Sequence, residues 1–149
     1  VHANDATNTI TRLLDIGIQP FLLGSCVNLI VAQRLIRTIC KSCKENYTPS
    51  ETELSIINYP KDKIKSTTFY HGKGCSKCRY TGYKGRTAID EILEVKQNIR
   101  KLVFDNANEE TIKAEALENG MTPLREAGIE KIEEGVTTIQ EVIRSTVQE

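Results

Sequence analysis

Cys40-Lys41-Ser42-Cys43 and Cys75-Ser76-Lys77-Cys78 decide how this chain is read. A C-x-x-C pair lets one short turn present two thiolates to one metal ion. Two such turns complete a tetrahedral four-sulfur shell, which suits Zn²⁺. The pairs are separated by 31 residues, Lys44 to Gly74. That is longer than the ~15–20 of a compact zinc ribbon. The spacing therefore predicts a metal that closes the base of an inserted lobe, with Cys40, Cys43, Cys75 and Cys78 as ligands. The competing reading is two redox dithiols or two disulfides. A redox pair usually opens a helix in a βαβ setting, whereas these lie among Gly, Lys and Ser. Four thiolate ligands leave no open coordination position, so the zinc is expected to be structural.

Working outward, the chain has 149 residues, enough for one domain or two small ones. It begins with Val, not Met, which predicts an excised fragment. Cys26 is the fifth cysteine, read as a small buried apolar residue within 21–31. An unpaired thiol beside metal-type spacing points to a reducing cytosol. The longest apolar stretch, 21–32, is too short for a membrane span, which needs ~18 or more residues. The net charge is zero but unevenly spread. Residues 36–86 hold 11 Lys and Arg against 4 Asp and Glu, while residues 87–149 hold 7 against 14. A basic lobe of this kind binds phosphates or an acidic partner, or is a solvated lysine surface. One expectation is docking of Lys41, Lys44 and Lys77 on an acidic surface of a neighbouring subunit or partner.

Asn4 or Asp5 can cap a helix whose stripe is Ile10, Leu13, Leu14 and Gly17. Residues 20–27 read as a short buried helix opened by Pro20. Residues 29–36 read as a strand buried on both faces. Residues 53–59 predict a short helix and 60–65 a surface loop. Residues 67–70 have strand propensity, and 86–95 a weak strand signal, because Ile89 and Leu93 fall on one parity and Ile92 on the other. Helical signals follow: Ile99, Leu102 and Val103; Asn108 capping residues 109–118; Thr122-Pro123 opening a helix that ends at Gly135; and Thr138-Ile139-Gln140-Glu141 as a capping box.

No P-loop, H-E-x-x-H, G-x-S-x-G or dinucleotide glycine pattern occurs. Residues alone give an α/β chain with a zinc lobe and a helical tail. A zinc-dependent nucleic-acid-binding module is the alternative reading. The basic lobe favours it, but only Phe69, Tyr70, Tyr80 and Tyr83 offer stacking faces.

Several stretches taken together go further. His2-Ala3-Asn4-Asp5-Ala6 with Arg12-Leu13 and Gly17-Ile18 resembles the histidine-box region of the secretion ATPases. These are the cytoplasmic hexameric motors of type II secretion and type IV pilus assembly. Residues 32–40 resemble their strand into the first cysteine pair. Gly74–Cys78 with Gly82–Thr87 resembles the second pair and the return strand. Gly120–Arg125, Gly128, Lys131, Gly135, Thr137-Thr138, Glu141-Val142 and Arg144 resemble their C-terminal helical signature. Lys41 and Ser42 stand where the family often has proline and aspartate.

The resemblance implies the C-terminal part of a RecA-like ATPase core, with an inserted tetracysteine zinc lobe and a C-terminal helical bundle. The divisions would be 1–39 (end of the core), 40–85 (zinc insertion), 86–97 (return strand) and 98–149 (helical subdomain). The P-loop and Walker-B carboxylates would lie upstream, so the fragment alone is not expected to hydrolyse ATP. By the same resemblance, His2 is the candidate active-site residue near the terminal phosphate, and Arg86 the candidate nucleotide contact. Arg86 pairing with Asp90 or Glu91 is the competing reading. Residues 98–102 match a region where retraction motors carry a motif needed for motion; an ordinary amphipathic helix is the plainer reading. The implied cofactors are structural zinc here and ATP with Mg²⁺ in the parent. The implied partners are a homo-hexamer and inner-membrane platform proteins, with no nucleic acid, on the cytoplasmic side of the bacterial inner membrane.

Overall fold

In the computed structural model, residues 2–146 are described; Val1 and the last three residues of the expected 98–149 subdomain lie outside them. The elements run α1 (Ala6–Asp15), α2 (Pro20–Cys26), β1 (Leu29–Ile39), β2 (Lys44–Tyr47), α3 (Glu51–Ile56), β3 (Phe69–Gly72), β4 (Tyr83–Glu94), α4 (Gln97–Phe104), α5 (Glu109–Glu118), α6 (Leu124–Glu133) and α7 (Ile139–Thr146). Short 3₁₀ turns occupy Lys61–Ser66, where a loop was expected, and Ser76–Cys78. The fold is mixed α/β with two two-stranded sheets, β1 with β4 and β2 with β3. The backbone bonds Val95 to Asn28 at one end and Cys40 to Gly82 at the other make β1 and β4 antiparallel. The β2–β3 pair is antiparallel too, with Lys44 opposite Gly72 and Tyr47 opposite Phe69.

The chain divides into two units. One holds residues 2–33 and 90–124, the other 34–89 and 125–146. The last four helices are thus shared, α4 and α5 in the first and α6 and α7, after Leu124, in the second.

In the first unit, Asp5 caps α1 by accepting from Asn8 N–H, and its carboxylate meets Lys113 Nζ of α5 at 3.0 Å. Asn108 caps α5 by accepting from Thr111 N–H, so the helix begins and ends where its signals predict. In α4, Ile99 and Val103 face inward, while Arg100 donates to Gly24 O and Asn28 Oδ1 at the C-terminal end of α2. That arginine therefore ties two helices of this unit together. Phe104 of α4 stacks with Phe21 of α2 at 6.4 Å between ring centroids.

Two expectations fail here, because each element is covered on one side only. The seven residues of α2 turn Leu23 and Gly24 inward, which leaves Phe21, Leu22 and Cys26 exposed. Cys26 is a surface thiol, not a core residue. Strand β1 is not buried on both faces. Ile30, Ala32, Ile36 and Ile39 are buried, whereas Leu29, Val31 and Leu35 are exposed. A two-stranded sheet covered on one face gives this alternation.

Strand β4 alternates after all. Its inward positions are Ile89, Glu91 and Leu93, with Ile92 outward. The pattern looked broken because Ile92 is apolar yet outward, while the middle inward residue, Glu91, is a carboxylate.

The second unit has its own core. Leu54, Ile57, Tyr59 and Phe69 from the lobe pack with Ile132, Ile139 and Val142 from α6 and α7. Ser50 and Glu53 form a full capping box on α3, each satisfying the other's backbone N–H. The expected box at Thr138 is half made. Thr138 Oγ1 accepts from Glu141 N–H, but the Glu141 carboxylate turns to Arg37 and Arg144.

Candidate metal centre

Cys40 directly follows β1, Cys43 directly precedes β2, Cys75 caps the 3₁₀ turn and Cys78 is its last residue on the way into β4. The β2–β3 ladder brings the two turns together, with Lys73 N–H donating to Cys43 O just beyond it. The four Sγ atoms all lie within 4.8 Å of one another. The Cys40–Cys75, Cys43–Cys78 and Cys75–Cys78 sulfurs are 3.9, 3.8 and 3.8 Å apart. A regular tetrahedron with Zn–S bonds of about 2.3 Å has sulfur–sulfur edges of about 3.8 Å. Disulfide sulfurs would be ~2.05 Å apart. Four cysteines placed this way could hold a metal ion.

The surrounding backbone favours thiolates. Gly74 N–H donates to Cys43 Sγ at 3.3 Å, Cys75 N–H to Cys78 Sγ at 3.2 Å and Gly82 N–H to Cys78 Sγ at 3.3 Å. Such outer-shell bonds orient ligands and spread their charge. Burial pushes the Cys78 thiol up, but the N–H groups of Cys75 and Gly82 and the thiols of Cys75 and Cys43 outweigh it and bring it down to about 6. Burial pushes Cys43 up to about 12, and the sulfurs of Cys78, Cys40 and Cys75 push the same way against the Gly74 N–H. Cys43 thus resists becoming a thiolate beside the other sulfurs. A dication among them removes that conflict.

The turns come within van der Waals limits of each other. A Cβ on Gly82, whose φ is +82°, would sit 2.5 Å from Gly72 O, and one on Gly72 would sit 2.1 Å from Gly82 O. Gly82→Ala is expected to cost ~1–2 kcal/mol for the left-handed backbone alone. The clash then displaces the N–H that faces Cys78. Competition with a chelator should show weaker zinc retention than in the wild type; equal retention would mean the turn tolerates a side chain.

Lys41 and Lys77 are exposed, and Lys44 donates to Gly135 O at 2.6 Å and lies over the Tyr70 ring at 4.3 Å. Lys44 is thus engaged within the unit while still exposed.

Beside the lobe lies a buried carboxylate, Glu141, whose sequence pattern pointed only to a helix cap. The Glu141 side chain is 0% exposed and meets Arg37 Nη2 at 2.7 Å and Arg144 Nη2 more closely. Arg37 N–H also donates to it, and the Arg37 guanidinium lies 4.1 Å from the Tyr83 ring centroid. Tyr83 and Thr138 share a hydroxyl hydrogen bond of 2.6 Å. Burial pushes Glu141 up, but hydrogen bonds from Arg144 and Arg37 overcome it and hold the carboxyl below its ordinary range.

His2 is an exposed residue of the first unit, four positions before α1 begins. Arg86 is an exposed residue of β4 in the second unit. Its two suggested partners are engaged elsewhere. Asp90 accepts from Gln33 Nε2, and Glu91 accepts from Ala6 and Leu124 N–H.

Comparison with known proteins places this architecture. The family described as type II/IV secretion system protein matches residues 1–144, and the chain belongs to it. The type IV pilus assembly ATPase PilB of Myxococcus xanthus is 41% identical over 150 residues, covering 98% of this chain and 26% of that protein. The type II secretion system protein E of Pseudomonas aeruginosa is 38% identical over 149 residues, covering 100% and 29%. PilB of Thermus thermophilus is 37% identical over 148 residues, covering 99% and 17%. The chain therefore spans less than a third of the length of these relatives. No helix among the described residues is long and apolar enough to cross a membrane.

Proposed function

We propose that this chain is the C-terminal portion of a hexameric, RecA-like ATPase motor that powers type II protein secretion or type IV pilus assembly. The observation that carries this reading is alignment across essentially the whole chain with relatives named as pilus assembly ATPases and secretion protein E. The P-loop and the carboxylates that hold ATP and Mg²⁺ belong to the upstream core. Residues 40–85 are the zinc insertion, residues 86–97 return to the core, and residues 98–149 supply the helical tail. Zinc on Cys40, Cys43, Cys75 and Cys78 serves as a clamp with a closed shell. The motor acts at the cytoplasmic face of the inner membrane on platform proteins of the machine. The exposed apolar residues Leu29, Val31 and Ile92 support a larger parent. They suit a sheet whose second face is covered there, as a RecA-like core requires.

Phosphoryl transfer to water needs little covalent help from protein, and much positioning and charge stabilisation. His2 and Arg86 have side chains of the right chemistry for this: an imidazole that bonds a phosphate oxygen, and a guanidinium that forks onto one. Both are exposed. Joined to its upstream core, the chain should support ATP hydrolysis that falls about 10²-fold on His2→Ala, the scale set by losing one oriented transition-state donor. Arg86→Ala should chiefly raise KM for ATP. A rate unchanged by His2→Ala removes His2 from the mechanism.

A further inference from the structure

Glu91 is a carboxylate with no role in the zinc cluster and a place in neither proposed nucleotide contact. It is 1% exposed, at the inward position between Ile89 and Leu93 on β4. Its two oxygens are divided between two helix starts. Oε1 accepts from Ala6 N–H, the first residue of α1, at 2.8 Å. Oε2 accepts from Leu124 N–H, the first residue of α6, at 3.1 Å. Helix starts carry unsatisfied N–H groups and partial positive charge, so a buried carboxylate is stable there. At α1 this bond supplements the Asp5 cap, which satisfies Asn8 N–H. The segment just before α1 is therefore latched at Ala6 by β4 and at Asp5 by Lys113.

His2 lies on that segment. Four residues of chain span at most ~14 Å, so the latch at Ala6 bounds where the imidazole can reach. We infer that Glu91 is a positioning residue that holds the start of α1 and so places the His2 segment for phosphate contact. This rests on the motor reading proposed above. Glu91 touches no reacting atom; it acts through the α1 backbone.

Glu91→Gln keeps size but not function at the latch. The amide offers one acceptor and turns an NH₂ toward the other N–H, so one helix start is released. Glu91→Asp keeps the carboxyl group but is one methylene too short to span both. In the motor carrying its upstream core, each variant should lower kcat about tenfold or more, since ~1 Å of misplacement can cost 10². KM for ATP should stay within about twofold, because nucleotide binding rests mainly on the upstream core. The decisive arm combines each variant with His2→Ala. If Glu91 acts through the His2 segment, neither variant lowers the His2→Ala rate further. Wild-type kcat in both Glu91 variants would overturn the inference. So would an equal fold-loss with and without His2, which marks a general structural effect. A His2→Ala single variant with an unchanged rate would remove the motor reading's use of His2 and this inference with it; that single-variant result tells the two failures apart.

Discussion

Cys78→Ser is expected to unfold the lobe of residues 40–85 and to loosen the helices packed on it. Zinc-binding free energies of ~10–16 kcal/mol in zinc-finger peptides match or exceed the ~5–15 kcal/mol total stability of a domain. Cys78 is the most costly ligand to lose. It is buried, and its sulfur receives N–H groups from both Cys75 and Gly82. Its loss leaves those donors facing a smaller hydroxyl. Phe69 and Tyr59 of the lobe share a core with Ile132, Ile139 and Val142, so damage at the metal spreads to α6 and α7. The measurement is amide hydrogen exchange with and without a tight chelator. Protection should vanish across β2, β3 and α3 and weaken in α7, while α5 of the other unit keeps its protection. Cys40→Ser should act the same way. Retained protection after complete metal removal would mean the lobe folds without its clamp.

The second large effect is expected at Glu141. Removing one member of a buried charge pair costs ~3–5 kcal/mol. Here Arg37 and Arg144 are 45% and 59% exposed, so water reclaims part of the loss. Glu141→Ala should therefore cost about 2–3 kcal/mol, read as a lower denaturant midpoint with an unchanged slope. The network also predicts a pH dependence. Glu141 titrates lower in the folded protein than in the unfolded chain. Its contribution is complete above the unfolded carboxyl value and fades as pH falls through the lower folded value. Asp5 is also depressed: burial raises it, while the Asn8 N–H, Lys113 and Thr7 lower it further. Its contribution fades in the same direction. Zinc release by protonated thiols adds to the acid limb, so the informative quantity is wild type minus Glu141→Gln. That difference should shrink as pH drops below about 4.5. A constant difference would place Glu141's effect in packing instead of charge.

Signals that act within one turn of chain were legible. The Asn108 and Asp5 caps and Pro20 at the start of α2 each work through neighbours three residues away or fewer. The cysteine pairs were legible because a metal imposes its own spacing. What sequence hid was burial. A carboxylate reads as surface, so Glu91 made β4 look irregular, and Glu141 looked like a cap partner. Each is buried because a distant segment supplies donors: Ala6 and Leu124 for one, Arg37 for the other. A glutamate on the inward parity between Ile89 and Leu93 was the available clue for Glu91. Nothing local pointed to Arg37. Cys26 misled in the opposite sense, since a small apolar residue at the end of a seven-residue helix lands on the outer side.

X-ray absorption on the purified protein, with elemental analysis of the same sample, most directly tests whether the four cysteines form a closed clamp. The expected result is about one zinc per chain, bound by four sulfurs at about 2.3 Å with no nitrogen or oxygen ligand. A metal-free protein with folded β2 and β3, or a zinc with fewer than four sulfurs, would contradict it.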